Sequence, residues 1–322
     1  MAELLDKADQ REEAIAVALK FCATSAAADF EESVAGLCQA AELAVLSGKT
    51  VLVKPNLLKP DTLACTDPQL VAACSRYLLD LGCKVIVADS PGFGTAAGIA
   101  RHIGLDRALA PLGLQLNAMG PAVYQDIELA GQRVRLPVSR TALACDAILS
   151  LPKVKAHSQM RLTLSVKNCY GCVPGLHKAL LHARFGKERE VFADLLCALY
   201  RLLPPVAAVV DGIVAMHVTG PGNGQPYPLH LIAAAKNSPL LDEVLIELLG
   251  CRISDIPLAQ ALRRAGVDGC TGQRPWFPMA RPSDWQVEDF LVPKMLLTTS
   301  FAPHRLLISL VRRLWAQRPR LL

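Results

Sequence analysis

The chain has 322 residues, 52% of them hydrophobic, 20% charged and 5% aromatic. That apolar share can bury a large core, in one domain or two lobes. The formal net charge is +5, but Arg305, Arg312, Arg313, Arg318 and Arg320 lie in residues 305–322, which hold no acid. The remainder sums to about zero, and with few aromatics this excludes a global nucleic-acid face.

The N-terminal run "MAELLDKADQREE" is charged and mixed in sign, without the basic start and apolar core of a signal peptide. Residues 1–48, rich in Ala, Glu and Leu, read as a helical segment closing at Ser47-Gly48. "TVLVKPN" is a short apolar, β-branched run that ends in a loop. "DPQLVAACSRYLLDLG" has helical periodicity, an Asp-Pro start and a Gly stop. "KVIVADSPG" is a second strand and loop, followed by a helix from about Gly98 to Ala110 that Pro111 stops. "DAILSLPKVKAH" gives a third strand running into a polar loop, "VAAVVDGI" and "LHLIAAA" two more, and "SPLLDEVLIELLG" a capped helix.

Repeated strand–loop–helix units indicate an α/β fold with a mostly parallel sheet and helices on both faces. The expected divisions are the helical segment 1–48, an α/β domain over 49–300 and a basic amphipathic tail over 301–322. A lobe boundary is expected near 120–140 or 155–165. The run "VAAVVDGIVAMHV" is interrupted by Asp211 and Gly212 and falls far short of the ~20 residues of a membrane span. A cytoplasmic location is therefore expected. There, eleven cysteines argue for free thiols, metal ligands or apolar fillers rather than a disulfide framework. Cys22, Cys38, Cys74 and Cys197 sit in helical apolar patterns and read as core.

Open α/β sheets bind ligands outside the carboxyl ends of their strands. Unusual polar residues fall there: Lys54 and Asn56 after the first strand, with Asp67 opening the next helix; Asp89 and Ser90 after the second; Lys153, Lys155 and His157 after the third; Asp211, then "TGPGNGQP" with Gly220, later. Asp67-Pro68 alone reads as an ordinary N-cap. "DSPGFG" matches neither the dinucleotide fingerprint nor the Walker loop. If Lys54, Lys153, Lys155 and Lys167 converge, each pair ~4 Å apart repels by about 4 kcal/mol at an effective dielectric near 20. Convergence then requires an anion, either Asp67, Asp89 or Asp211 or a bound carboxylate or phosphate.

The stretches "VLVKPNLL", "TDPQLVAA", "VIVADSPG", "ILSLPKVKAH", "LTLSVKNCYGCVPG", "VVDGIVAMHVTGPGNGQP" and "SPLLDEVLIELLG" resemble, in order, the domain of unknown function 362 family. The resemblance spans about residues 50–250. It implies an α/β domain with a polar site at the strand ends, and a link to iron–sulfur proteins, since members often carry a C-terminal module with two four-iron clusters on CxxCxxCxxxCP runs. On this match Lys54, Asn56, Asp67, Asp89, Lys153, Lys155, His157, Lys167, Asn168, Asp211 and Gly220 are candidates for the shared site. No cysteine follows Cys270, so this chain holds no such run. Either the member lost the module, a partner supplies it, or the chain is truncated. The basic tail could dock a ferredoxin-like partner or an anionic membrane surface, or simply pack as a terminal helix.

"CYGC", Cys169 to Cys172, has the spacing of a zinc knuckle, a redox dithiol or half a cluster site. One CxxC supplies two of the four thiolates a structural site needs, and His177 and His182 follow too closely for a usual finger. The preferred reading makes the stretch a ligand-binding turn. Ser165, Lys167 and Asn168 are presented by a short helix or extended run, and Gly171 and Pro174-Gly175 turn backbone N–H groups toward an anion. His182 and Arg184 could complete it.

The expected function is binding of a small anionic ligand, linked to iron–sulfur redox chemistry. In it Lys153 and Lys155 bind the anion, His157 or Asp211 moves a proton, and Lys167 binds charge, acts as a base or forms a Schiff base. The alternative is a non-catalytic iron–sulfur partner or scaffold protein using Cys169 and Cys172.

Overall fold

The computed structural model describes residues 14–297 apart from 268, 271 and 272. The N-terminal segment departs from the helical expectation at once. Ala14–Phe21 is a strand, β1, and helix begins only at α1 (Phe30–Ala40). "AIAVALKF" is apolar on both sides; it lies inside the sheet with neighbours on both edges, and its successive residues Ile15 to Leu19 are buried, Ala18 in one core cluster and Val17 and Leu19 in another. A continuous apolar run fits such a strand as well as it fits a buried helix. The tail over 301–322 lies outside the described residues, and with it the expected docking of a ferredoxin-like partner.

The strand–helix units follow as expected: β2 (Thr50–Pro55), α2 (Pro68–Asp80), β3 (Lys84–Asp89), then α3 (Ala96–Ile103) and α4 (Leu105–Leu109), then β4 (Leu116–Ala118). Gly104, at φ 82°, caps α3 in the left-handed region and breaks the expected single helix in two. An unexpected hairpin comes next, β5 (Ala122–Leu129) and β6 (Gln132–Ser139), a separate two-stranded sheet. Its turn, Ala130-Gly131, has both φ angles positive, the conformation that keeps a two-residue hairpin in step with strand twist. After α5 (Arg140–Leu143), the expected third strand is two strands, β7 (Ala147–Leu151) and β8 (Lys153–His157). Pro152, which has no N–H, separates them.

The rest comprises β9 (Arg161–Thr163), α6 (Ser165–Asn168), α7 (His177–Phe185), α8 (Arg189–Leu202), β10 (Val206–His217), β11 (Gln225–Tyr227), β12 (Leu231–Ala235), α9 (Ser238–Leu248), α10 (Pro257–Arg264) and β13 (Arg274–Trp276). The large sheet runs β13-β1-β12-β10-β7-β2-β3-β4, with β8 and β11 on β10 and β9 on β8. From β10 through β7, β2 and β3 to β4 every pair is parallel; β12 is antiparallel to both its neighbours. The architecture is therefore α/β with a large, mostly parallel sheet.

Helices cover both faces. Val51, Val53, Val87 and Leu149 pack with α1 to α4, and Val17, Leu19, Ala208 and Val210 pack with α9. The hairpin packs with α8, its Leu136 and Val138 sharing one hydrophobic cluster with Phe192 and Leu195. Among the described residues, no helix is long and apolar enough to cross a membrane. The chain builds β2, β3 and β4 outward in one direction and then returns to the other side of β2 for β7. Strand order reverses between β2 and β7, and their carboxyl ends open the crevice where such sheets hold ligands.

Candidate functional site

The carboxyl ends of β2, β3, β7 and β8 bring the expected polar residues together. Lys54 and Ser150 are register partners across β2 and β7. Lys54, wholly buried, donates from Nζ to Asp89 Oδ1 at 2.7 Å, Pro55 O at 2.9 Å and Asn168 Oδ1 at 3.1 Å. Asp89 Oδ2 accepts from Leu57 N–H at 2.9 Å. Asn168 Nδ2 donates to Lys54 O (3.1 Å) and Ser150 Oγ (3.0 Å), and its Oδ1 also accepts from Asn56 Nδ2 at 2.9 Å. Asn56 Oδ1 accepts from Lys155 Nζ, which further donates to Ala64 O at 2.9 Å. One continuous network thus joins Lys54, Asn56, Asp89, Lys155 and Asn168.

A second group lies beside it. Lys153 Nζ bridges both carboxylate oxygens of Asp211, at 3.1 and 3.0 Å. Asp211 also accepts from Asp67 N–H at 2.7 Å and Ile213 N–H at 3.3 Å. Burial pushes its carboxyl up, and Lys153 pulls it back. Asp67 caps α2 through Gln69 N–H and accepts from Ser25 Oγ, so its ordinary N-cap role is realised.

On β8, period-2 alternation sets Lys153, Lys155 and His157 on one face and Val154 and Ala156 on the other. Lys155 stands in register with Thr163, and His157 with Arg161. His157 Nδ1 accepts from Gln159 N–H (3.0 Å) and Met160 N–H (3.2 Å), so the neutral ring carries its proton on Nε2. Burial, then Lys167, holds its pKa well below the usual imidazole value. His182 is pushed down to about 3 by burial, with Lys167 and Lys178 adding to it, and stacks on Phe192 at 4.3 Å. Burial lowers Lys155 to about 8. Burial first, and then the charges of Lys155 and Lys178, lower Lys167 to about 7.

"CYGC" is a single tight helical turn following α6. A Cβ on Gly171 would overlap Asp89 Oδ1 and Lys54 Nζ, so glycine here lets the chain press against that ion pair. Of the N–H groups expected to face an anion, that of Gly175 is already used. Gly175 N–H donates to Ser90 Oγ at 3.0 Å and Val173 N–H to Tyr170 O at 3.1 Å. Lys178 Nζ donates to Ser90 O. Gly220, like Gly171, serves close packing, since a Cβ there would overlap Ala156 O on β8. Gly171→Ala should cost about 1–3 kcal/mol through overpacking of a buried pair that cannot relax, read as the shift in urea midpoint at unchanged slope.

Cys169 and Cys172 sit with Cys145, Leu52, Ala88 and Ile148 in an apolar cluster. Burial raises Cys169 well above the usual thiol value and Cys172 to about 12, which keeps both protonated. Among the described residues, no three His, Cys, Asp or Glu side chains gather as metal ligands. A pair of buried thiols does not fit an iron–sulfur cluster, which needs deprotonated ligands in larger number.

Asp242, not anticipated, supports the site from α9. Its oxygens accept from Ser165 N–H (2.8 Å) and Val166 N–H (2.9 Å), clamping the start of α6, which carries Lys167 and Asn168. Burial raises Asp242 to about 7. The signal was legible, because Asp242 shares a helical stripe with Ser238, Leu245, Ile246 and Leu249, where a solvated acid does not belong.

A relative from Synechocystis sp. (strain ATCC 27184 / PCC 6803 / Kazusa), a thylakoid-associated protein, is 33% identical over 268 residues, covering 82% of this chain and 83% of its own length. Among solved structures, the lactate racemase apoprotein from Thermoanaerobacterium thermosaccharolyticum aligns over 70% of this chain and 56% of that one, at 13% identity and a TM-score of 0.43, too slight a likeness to carry an argument. The model of the family described as "Domain of unknown function (DUF362)" matches residues 51–247, the stretch that contains every side chain of the two networks except Ser25. With that match and that relative, the chain belongs to the DUF362 family.

Proposed function

We propose that the crevice between the carboxyl ends of β2, β7 and β8 binds a small anionic ligand, a carboxylate or phosphate, through Lys155 and Lys167, with the Nε2–H of His157 as a neutral donor. The observation that carries this reading is an asymmetry among the lysines. Lys54 and Lys153 each hold a buried carboxylate, Asp89 and Asp211. Lys155 and Lys167 have no ion pair among the described residues, although the charge of Lys155 bears on Lys167. A bound anion supplies what they lack. Lys153, Asp211, Lys54, Asn56, Asp89 and Asn168 act in this reading as the frame that fixes Lys155, and Asp67 fixes Asp211.

Any iron–sulfur cluster linked to this chemistry is assigned to a partner rather than to Cys169 and Cys172, whose thiols are buried and protonated. The aqueous, cytoplasmic location belongs to the same reading; the relative's thylakoid association offers the alternative of a membrane surface.

The pH dependence follows from the lysines. Both are lowered, so both gain their full charge only as pH falls below about 7, and an anion binds the charged forms. Affinity for sulfate, which does not titrate in this range, should rise about tenfold from pH 9 to pH 6 at constant ionic strength. Isothermal titration calorimetry measures it. Lys155→Met should abolish the binding heat, whereas Lys167→Arg should keep it and remove the break near pH 7. Sulfate affinity that is flat with pH and indifferent to Lys155→Met would sink the reading.

A further inference from the structure

Leu291, Met295 and Leu297 are 55%, 80% and 60% exposed, three large hydrophobic side chains turned to water within one short stretch. That stretch, "LVPKMLL", is irregular chain, with neither helix nor strand. It is not a loose end. Val218 N–H donates to Leu291 O and Leu297 N–H to Ser158 O, both at 2.7 Å. Just before it, Phe290 is buried, its ring 5.3 Å from that of Tyr227. The backbone is therefore pinned at both ends as a strap, while side chains between the pins face outward. A lone exposed leucine is ordinary, but a run of them on anchored backbone marks a contact surface. Val218 follows the end of β10 and Ser158 the end of β8, so the strap crosses the same edge of the sheet as the candidate site.

The charge of this part of the chain is one-sided. Glu288 and Asp289 are the last acids, and residues 290–322 hold Lys294 and five arginines. Beyond the described residues the sequence keeps a helical interval. Leu306, Leu310 and Leu314 recur every fourth position with Leu307 and Val311 beside them, and Arg305, Ser309 and Arg313 repeat one position ahead. On a 3.6-residue period this pattern separates an apolar face from a basic one. It is the pattern of a segment that lies in an anionic interface.

We propose that the strap and the basic stretch after it form one docking surface for an anionic lipid membrane. Leu291, Met295 and Leu297 enter the acyl boundary, and Lys294 and the arginines meet headgroup phosphates. The strap offers its apolar side chains singly along irregular chain, beside cations that no acid balances. Acyl chains and scattered headgroup charges accept such a surface without the shape complementarity a protein partner requires. The two contributions act together, since a few apolar side chains or a few cations alone hold a protein only weakly at a bilayer. Docked in this way, the edge of the sheet that carries the crevice lies next to the membrane.

Co-sedimentation with vesicles tests it. The full chain is mixed with vesicles of phosphatidylcholine alone or with about one-third phosphatidylglycerol, and binding should be at least about tenfold stronger to the mixture. Raising the salt should weaken that binding. Arg312→Glu with Arg313→Glu should abolish the preference for phosphatidylglycerol. Leu291→Glu with Met295→Glu should cut binding to the mixture about tenfold. Both side chains already face water, so this second variant should keep the circular dichroism and melting temperature of the unsubstituted protein. Binding that the strap variant leaves unchanged would remove the strap from the surface and overturn the proposal. Equal binding to both kinds of vesicle would overturn the role of charge. Protein that ignores both vesicles would overturn the membrane and leave this face to a protein partner.

Discussion

Asp89→Ala should lower stability by about 3–5 kcal/mol, because it strands the buried ammonium of Lys54 without its counter-charge. The pair is almost fully removed from water, with side-chain exposures of 1% and 2%. The substitution also takes the acceptor from Leu57 N–H. Lys54→Met added to Asp89→Ala should recover a large part of the loss, since a methionine fills similar volume without a charge, and a double-mutant cycle would measure the coupling. Equilibrium urea unfolding of the four proteins provides the numbers. A loss below about 1 kcal/mol for Asp89→Ala would mean that water reaches Lys54 in solution.

Asp211→Ala should cost a similar amount, again about 3–5 kcal/mol, by leaving Lys153 unpaired together with Asp67 N–H. The functional outcome is the more informative part. Asp211 is fully buried and already accepts from Lys153, Asp67 and Ile213. In the proposed site it holds the frame rather than moving a proton. The variant, assayed well below its lowered melting temperature, should therefore still bind sulfate within about threefold of the unsubstituted protein. Full loss of sulfate binding in protein shown to be folded by circular dichroism would place Asp211 against the ligand instead.

The strand–helix repeat was legible because β2, β3 and β7 are short, β-branched and ended by loops, and α2 announces itself with Asp67-Pro68. β1 was read as helix because an Ala-rich strand buried on both faces shows no alternation. The β5–β6 hairpin was missed although its signal is present, with apolar and polar residues alternating on either side of Ala130-Gly131. At the site, the residue types and their placement at strand ends were readable. Their pairing was not, because it is decided in three dimensions. Nothing in the sequence says that Lys54 takes Asp89 and Lys153 takes Asp211 while Lys155 is left with amide and carbonyl oxygens. Nor does a turn motif reveal that the Gly175 N–H is spent on Ser90.

The crevice is stitched from distant parts of the chain. Lys54 meets Asn168 across 114 positions, Lys155 meets Asn56 across 99, and Asp67 meets Asp211 across 144. Each closure gives up chain entropy before its contact is gained, so bonds of this kind form late in folding and slow it. No early intermediate and no fragment ending before β10 can contain the complete constellation. Ligand capture during refolding should therefore lag behind the appearance of helix and sheet, and its time course would clock the last step by which the chain becomes native.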